Sequence, residues 1–216
     1  MKKTLIMILI FYLLSGCTVF HKSQSSISVY DFGIQPSRHI KNILQQPEKQ
    51  RKSILIAEAV APSWLDNNAI HYRLLYHNPT QSYTYANSRW IATPTAILTQ
   101  QIRNRIVSST NEQVIKDSST AKADYVLNIE LEEFTQVFDT ATESHVVIGL
   151  RASLIERNSR HLFAQKDFRM NERTPTADAA GAVFALSSAS NQLINELIDW
   201  LTIELSPISP IAHHQN

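Results

Sequence analysis

The sequence predicts an α+β fold, a single domain in which a mixed or mostly antiparallel sheet carries two main helices packed on it. Three observations lead there. The elements come in blocks, strands then a helix then strands then a helix, which is the order of helices laid on one sheet. Residues 124–170 hold three successive stretches of period-two alternation joined by short polar connections, the pattern of an antiparallel meander. Residues 177–205 place Val183, Leu186, Leu193, Leu197 and Trp200 on one helical face, with Ile194, Ile198, Leu201 and Leu205 widening it.

The first element is a signal. Lys2 and Lys3 precede an apolar run from Leu5 to Leu14, then the small pair Ser15-Gly16 and Cys17. The run is too short to span a bilayer as a helix. Leu14-Ser15-Gly16-Cys17 resembles the lipobox of bacterial lipoproteins, in which the cysteine sulfur receives a diacylglycerol, cleavage follows the residue before it, and the new amine is acylated. The resemblance implies that residues 1–16 are a lipoprotein signal peptide and residues 17–27 a lipidated tether, with Cys17 the site of lipid attachment. An ordinary secretory signal or a buried cysteine is the alternative. Cys17 is the only cysteine, so no disulfide forms within one chain. A three-chain anchor holds a protein in the bilayer effectively permanently, whereas one acyl chain holds it marginally. Thr18 stands where an inner-membrane lipoprotein tends to carry aspartate. That implies an outer-membrane lipoprotein facing the periplasm, with the inner membrane left open.

Beyond the signal, composition narrows the function classes. Without Lys2 and Lys3, the 20 basic residues fall to 18 against 19 acidic ones. A balanced charge argues against nucleic acid as a partner and offers no basic patch for anionic headgroups. No shift in composition marks a domain boundary, so residues 28–205 read as one domain, followed by a flexible tail, 206–216.

Ile27 to Ile34 is rich in strand formers and predicts the first strand. Residues 37–52 have few large apolar side chains and read as a loop or marginal helix. Ser53 to Val60 is a near-continuous apolar run, as expected of a strand buried on both faces. Ala61-Pro62 ends it. Ile70 to Tyr76 alternates, with Ile70, Tyr72, Leu74 and Tyr76 opposite His71, Arg73 and Leu75. Asn78-Pro79-Thr80 reads as a turn and Ser82 to Ala86 as the partner strand of a hairpin, which Asn87-Ser88 ends. Thr93 caps a helix with Pro94 in its first turn and a buried stripe of Ala96, Ile97, Ile102, Ile106 and Val107, ending near Ser108. Glu112 to Lys116 is a short strand, and residues 118–122 a loop. Asp124 to Phe134 alternates Tyr125, Leu127, Ile129 and Leu131 against Val126, Asn128, Glu130 and Glu132, a half-exposed strand. Glu143 to Glu156 and His161 to Met170 complete the meander. Pro207 and Pro210 follow the last helix.

Chemistry is harder to find. Glycine occurs only at Gly16, Gly33, Gly149 and Gly181, which leaves no phosphate-cradling loop and no nucleophile elbow. His39, His71, His77, His145 and His161 are scattered one per element, without metal-ligand spacing, and the His213-His214 pair lies in the tail. Glu130 and Glu132 share the polar side of a strand, where a solvated face explains them, and Glu133 follows. Asp66 and Asp178 sit where a short acceptor caps a turn or helix. Nothing supports catalysis, a metal or a cofactor.

The order of several short motifs resembles the ABC-type transport auxiliary lipoprotein family. After the lipobox come Tyr30-Asp31-Phe32, the apolar strand leading into Ala61-Pro62-Ser63-Trp64-Leu65-Asp66, and Ile70-His71-Tyr72-Arg73. Tyr83 and Tyr85 then precede Asn87-Ser88-Arg89-Trp90 and the Pro94 helix, with Ala123-Asp124-Tyr125-Val126-Leu127 and Ala177-Asp178-Ala179-Ala180-Gly181 further on. Phe32 departs from the aliphatic residue expected in the first strand. The resemblance implies a non-enzymatic subunit found beside MCE-type (Mla- and Pqi-like) lipid transport systems, joining an MCE-domain protein and inner-membrane transporter components, with self-assembly into a homo-oligomer compatible with a ring-like partner. Trp64, Tyr72, Tyr85 and Trp90 are candidate partner contacts because aromatic side chains concentrate binding energy when exposed. The competing assignment closes the core with them. Two other functions stay open: an independent periplasmic lipid-binding carrier, whose helix stripes and sheet would enclose an acyl chain, and an anchored hydrolase, which needs a clustered nucleophile and base.

Overall fold

The computed structural model describes residues 26–33, 51–110, 112–116 and 121–206. The signal, Cys17, most of the tether, Ile34, most of the polar 35–52 segment, residues 117–120 and the tail after Ser206 lie outside the described residues.

The elements are β1 (Ser28–Tyr30), β2 (Ser53–Ile56), β3 (Ala69–Leu74), β4 (Asn78–Trp90), α1 (Pro94–Ser109), β5 (Gln113–Lys116), β6 (Tyr125–Phe138), β7 (Ser144–Glu156), β8 (Leu162–Arg173) and α2 (Ala179–Leu205). The expected α+β domain is what forms: one mixed sheet of eight described strands with two helices. Strand β6 is its axis. One edge of β6 pairs antiparallel with β7 along its whole length, and β7 pairs with β8, giving the meander. Its other edge is shared end to end. Strand β2 runs parallel to residues 125–127, the Val60 bridge reaches Glu130, and β3 runs parallel to residues 135–138. Strand β5 flanks β2, while β4 and then β1 flank β3.

The core lies between the sheet and α2. Phe134, Leu127, Ile129 and Leu131 of β6 and Val146, Ile148, Leu150 and Leu154 of β7 meet Leu186, Leu193, Leu197 and Leu201 of α2, all buried. Removing each such aliphatic side chain from water contributes about 1.5–3 kcal/mol. Phe32 continues beyond β1 into this core, 5.3 Å from the Trp90 ring and 5.6 Å from Phe134. The aromatic departure in the first strand is thus one corner of a three-ring cluster.

Four local expectations are corrected. Strand β1 is shorter than expected. Strand β4 neither starts after a turn at residues 78–80 nor stops at Asn87-Ser88; the turn is at residues 75–77, where His77 N–H donates to Leu74 C=O, and β4 runs through to Trp90. Two register breaks against β3 absorb the turn-forming residues, so pairing resumes beyond them. On α1, Val107 is 61 % exposed and Ala96 is exposed, while Thr95, Leu98 and Thr99 are buried. The threonines tolerate burial because Thr99 Oγ1 donates to Thr95 C=O at 2.8 Å and accepts from Ala59 N–H at 2.9 Å. The alternation expected of β6 holds to the bulge between Leu131 and Glu133, and beyond it Phe134 to Phe138 are buried throughout.

Candidate functional site: the aromatic hairpin

The β3–β4 hairpin and the loop leading into it hold the four candidate contacts, and the structure separates them by face. In the loop, Pro62 C=O accepts from Leu65 N–H at 2.8 Å and Asp66 N–H at 3.0 Å. Leu65 is fully buried and Trp64, next to it, is turned outward, 42 % exposed. Asn67 holds the loop closed: its Nδ2 donates to Trp64 C=O at 2.7 Å, and its Oδ1 accepts from Ala69 N–H at 2.8 Å and from His71 Nε2 at 3.2 Å. Trp64 lies 5.8 Å from the His71 ring at 90°, and the Arg73 guanidinium is 6.0 Å from its centroid. Indole and cation so form a half-open pair with polar and apolar surface side by side. Burial, and then the nearby Arg73 charge, lower the pKa of His71, so its ring is neutral at neutral pH.

Tyr72 points to the opposite face, as the alternation requires. Its ring meets Tyr83 at 5.2 Å, Tyr85 at 4.8 Å and Phe138 at 5.7 Å. Beneath it lies a polar network. Tyr85 Oη donates to Gln136 Oε1 at 2.7 Å, and Gln136 Nε2 donates to Ser144 Oγ at 2.9 Å and to Asp178 C=O at 3.4 Å. Ser144 Oγ is 2.6 Å from Thr174 Oγ1. Hairpin, meander and the cap of α2 are therefore tied through one fully buried amide. Burial pushes the Tyr85 phenol well above its usual pKa, with Tyr72 and Asp178 adding to the effect.

Trp90 does not belong with these residues. It is 1 % exposed, 5.7 Å from Phe134, and offers no surface, so the partner role expected of it is corrected to a core role. Tyr72 and Tyr85 are half-buried, and Trp64 alone of the four is exposed. Cys17 lies outside the described residues. Sequence reading missed Gln136, Ser144 and Arg73; the available signal was Gln136 itself, an amide inside the apolar stretch Phe134 to Phe138.

The acidic residues serve ion pairs and caps. Glu132 lies 3.6 Å from Arg151, which also pairs with Asp167 at 2.7 Å, and Glu133 pairs with Arg169 at 3.0 Å. Asp178 caps α2 by accepting from Gly181 N–H, and Asp124 accepts from Ser53 N–H and Oγ. Among the described residues, no group of three His, Cys, Asp or Glu side chains is placed to hold a metal, and no helix is long and apolar enough to cross a membrane. An open groove of about 680 Å³ runs between β1 and the first half of α2, lined by Val29, Tyr30, Ile91, Val183, Phe184 and Asn191 among others.

Comparison with known families matches residues 41–197 to the ABC-type transport auxiliary lipoprotein component, a span covering most of the chain and all of the hairpin. The chain belongs to this family. No curated protein matches it. Solved structures share the auxiliary lipoprotein's fold at low identity. Protein XCC0632 from Xanthomonas campestris superposes with a TM-score of 0.67 at 20 % identity, over 82 % of this chain and 96 % of that one. The hypothetical protein CT253 from Chlamydia trachomatis gives 0.52 at 10 % identity, over 72 % and 98 %.

Proposed function

We propose that this auxiliary lipoprotein is a lipid-anchored periplasmic subunit of an MCE/ABC-type intermembrane lipid transport system, working by protein docking without catalysis. The family match over residues 41–197 carries the reading. Cys17 is the lipid attachment site, residues 1–16 its signal peptide and residues 17–27 its tether, with the outer membrane, facing the periplasm, as the anchored leaflet. An MCE-domain protein and the inner-membrane transporter components are the partners. Trp64, flanked by Arg73, is the exposed aromatic anchor for docking, and Tyr72 and Tyr85 stiffen the hairpin that presents it.

The test is a pull-down of tagged, lipidated protein from detergent-solubilised envelope beside a Cys17→Ala form, with mass spectrometry of the bound proteins. Recovery of an MCE-domain protein supports the reading. A blank from both forms removes it and favours an independent lipid carrier, for which the groove beside β1 is the observation in favour and bound phospholipid in native mass spectrometry the readout.

A further inference from the structure

Strand β1 is parallel to β4, with Ser28 beside Ser88 and Tyr30 beside Trp90. Strand β4 starts at the hairpin turn and runs away from it, so the chain that enters β1 arrives from the side of that turn. At the turn, Leu75 is 44 % and Tyr76 53 % exposed, two consecutive large apolar side chains on a projecting connection, followed by exposed His77. A tyrosine ring with an apolar body and a polar tip suits the headgroup level of a bilayer.

We propose that the turn Leu75-Tyr76-His77 rests in the lipid surface to which Cys17 is anchored, so that the domain stands on its membrane by the hairpin end. The proposal rests on the lipidation of Cys17 read above. Reach decides its feasibility. From the level of Ser28, near Ala69, to Leu74 is five residues of β3, about 17 Å at strand spacing. Eleven residues lead from Cys17 to Ser28, enough chain to reach about 36 Å at full extension. The tether is therefore long enough to span the distance.

Little acidic charge faces the lipid from the neighbouring β6–β7 turn. Glu143 is paired with Arg173 at 3.6 Å, which leaves Asp139, hydrogen-bonded to His145 at 2.8 Å, as the one carboxylate of that turn without a cation. The rival surface is the pair Leu162 and Phe163, 46 % and 45 % exposed, at the other end of the meander. The length of β6, 14 residues or about 45 Å, separates the two ends. To set that pair on the membrane, the chain entering β1 would have to reverse direction at Ser28.

The full lipidated chain, reconstituted in phosphatidylethanolamine–phosphatidylglycerol vesicles containing nitroxide-labelled lipid, tests this. Lipidation occupies the only native thiol, so Tyr76→Cys, His77→Cys and Asn158→Cys, the last in the distal β7–β8 turn, each give one site for an environment-sensitive fluorophore. Flotation is measured first. The expected result is that all three variants float, that labels at 76 and 77 shift to the blue and lose most of their emission to the nitroxide, and that the label at 158 does neither. Floating protein with unquenched labels at 76 and 77, or with quenching at 158 alone, overturns the orientation and leaves the anchor standing. Protein that does not float overturns the anchor and the orientation together.

Discussion

Tyr85 shows how much one hydroxyl holds. It donates to Gln136 Oε1, which is shut away from water, and Tyr85→Phe leaves that acceptor without its donor. The expected loss is about 1–3 kcal/mol, read as a lower denaturant midpoint at an unchanged m-value. His71 has a different signature. Its pKa is lowered in the folded chain, by burial first and by Arg73 second. Below about pH 6.5 the unfolded chain takes up the proton more readily, so the stability this ring contributes is present above that pH and is lost as pH falls through the lower folded value. Melting temperature should drop between neutral pH and mildly acidic buffer, and His71→Gln should flatten that drop. Asp124 and Asp178, lowered by hydrogen bonds from Ser53 and Gly181 respectively, lose their contributions at lower pH still, which keeps the two windows apart.

Helices show where propensity ends and packing begins. The cap of α2 is local: Asp178 accepts from Gly181 N–H at 2.8 Å, and a Cβ at Gly181 would collide with the Thr176 carbonyl. Because backbone cannot yield as a flexible side chain can, Gly181→Ala should cost about 1–3 kcal/mol, measured by chemical unfolding. Helix α1 is the opposite case. Its buried face includes Leu98, so Leu98→Ala should cost about 2–5 kcal/mol, while Val107→Ala should stay within about 0.5 kcal/mol. The pair of melting curves would distinguish the observed rotation of α1 from the stripe that its sequence suggests.

For the molecule as a whole, the division between what holds the fold and what it offers to others is the testable matter. Trp90 binds Phe32 and Phe134 and belongs to the first group; Trp64 belongs to the second. Trp64→Ala should leave the melting temperature nearly unchanged and reduce recovery of the proposed MCE-domain partner in the pull-down, whereas Phe134→Ala should cost about 3–5 kcal/mol. Equal loss of stability in both variants would remove Trp64 from the docking surface. The whole-molecule arrangement also makes β6 the single strand that β2, β3 and β7 share, so the two ends of the domain differ in kind: loops and β5 at one, the hairpin turn and the cap of α2 at the other.

Much of this was legible in the residues. The meander followed from alternation in residues 124–170, α2 from its 3.6-residue apolar face, and both caps from Thr93 and Asp178, because each depends on neighbours close in sequence. The family resemblance likewise rested on short motifs in order. The sequence by itself therefore determined the class of fold, the long helix, the hairpin and the family. Tertiary structure alone decided that β2 and β3 share one edge of β6, that α1 buries its threonines and exposes Val107, that Trp90 is core while Trp64 is surface, and that Gln136 joins the hairpin to α2. The physical reason is the range of the interaction. A cap or an alternation is settled within a few residues, whereas burial depends on what another part of the chain, as far off in sequence as Phe134 is from Phe32, lays over a side chain.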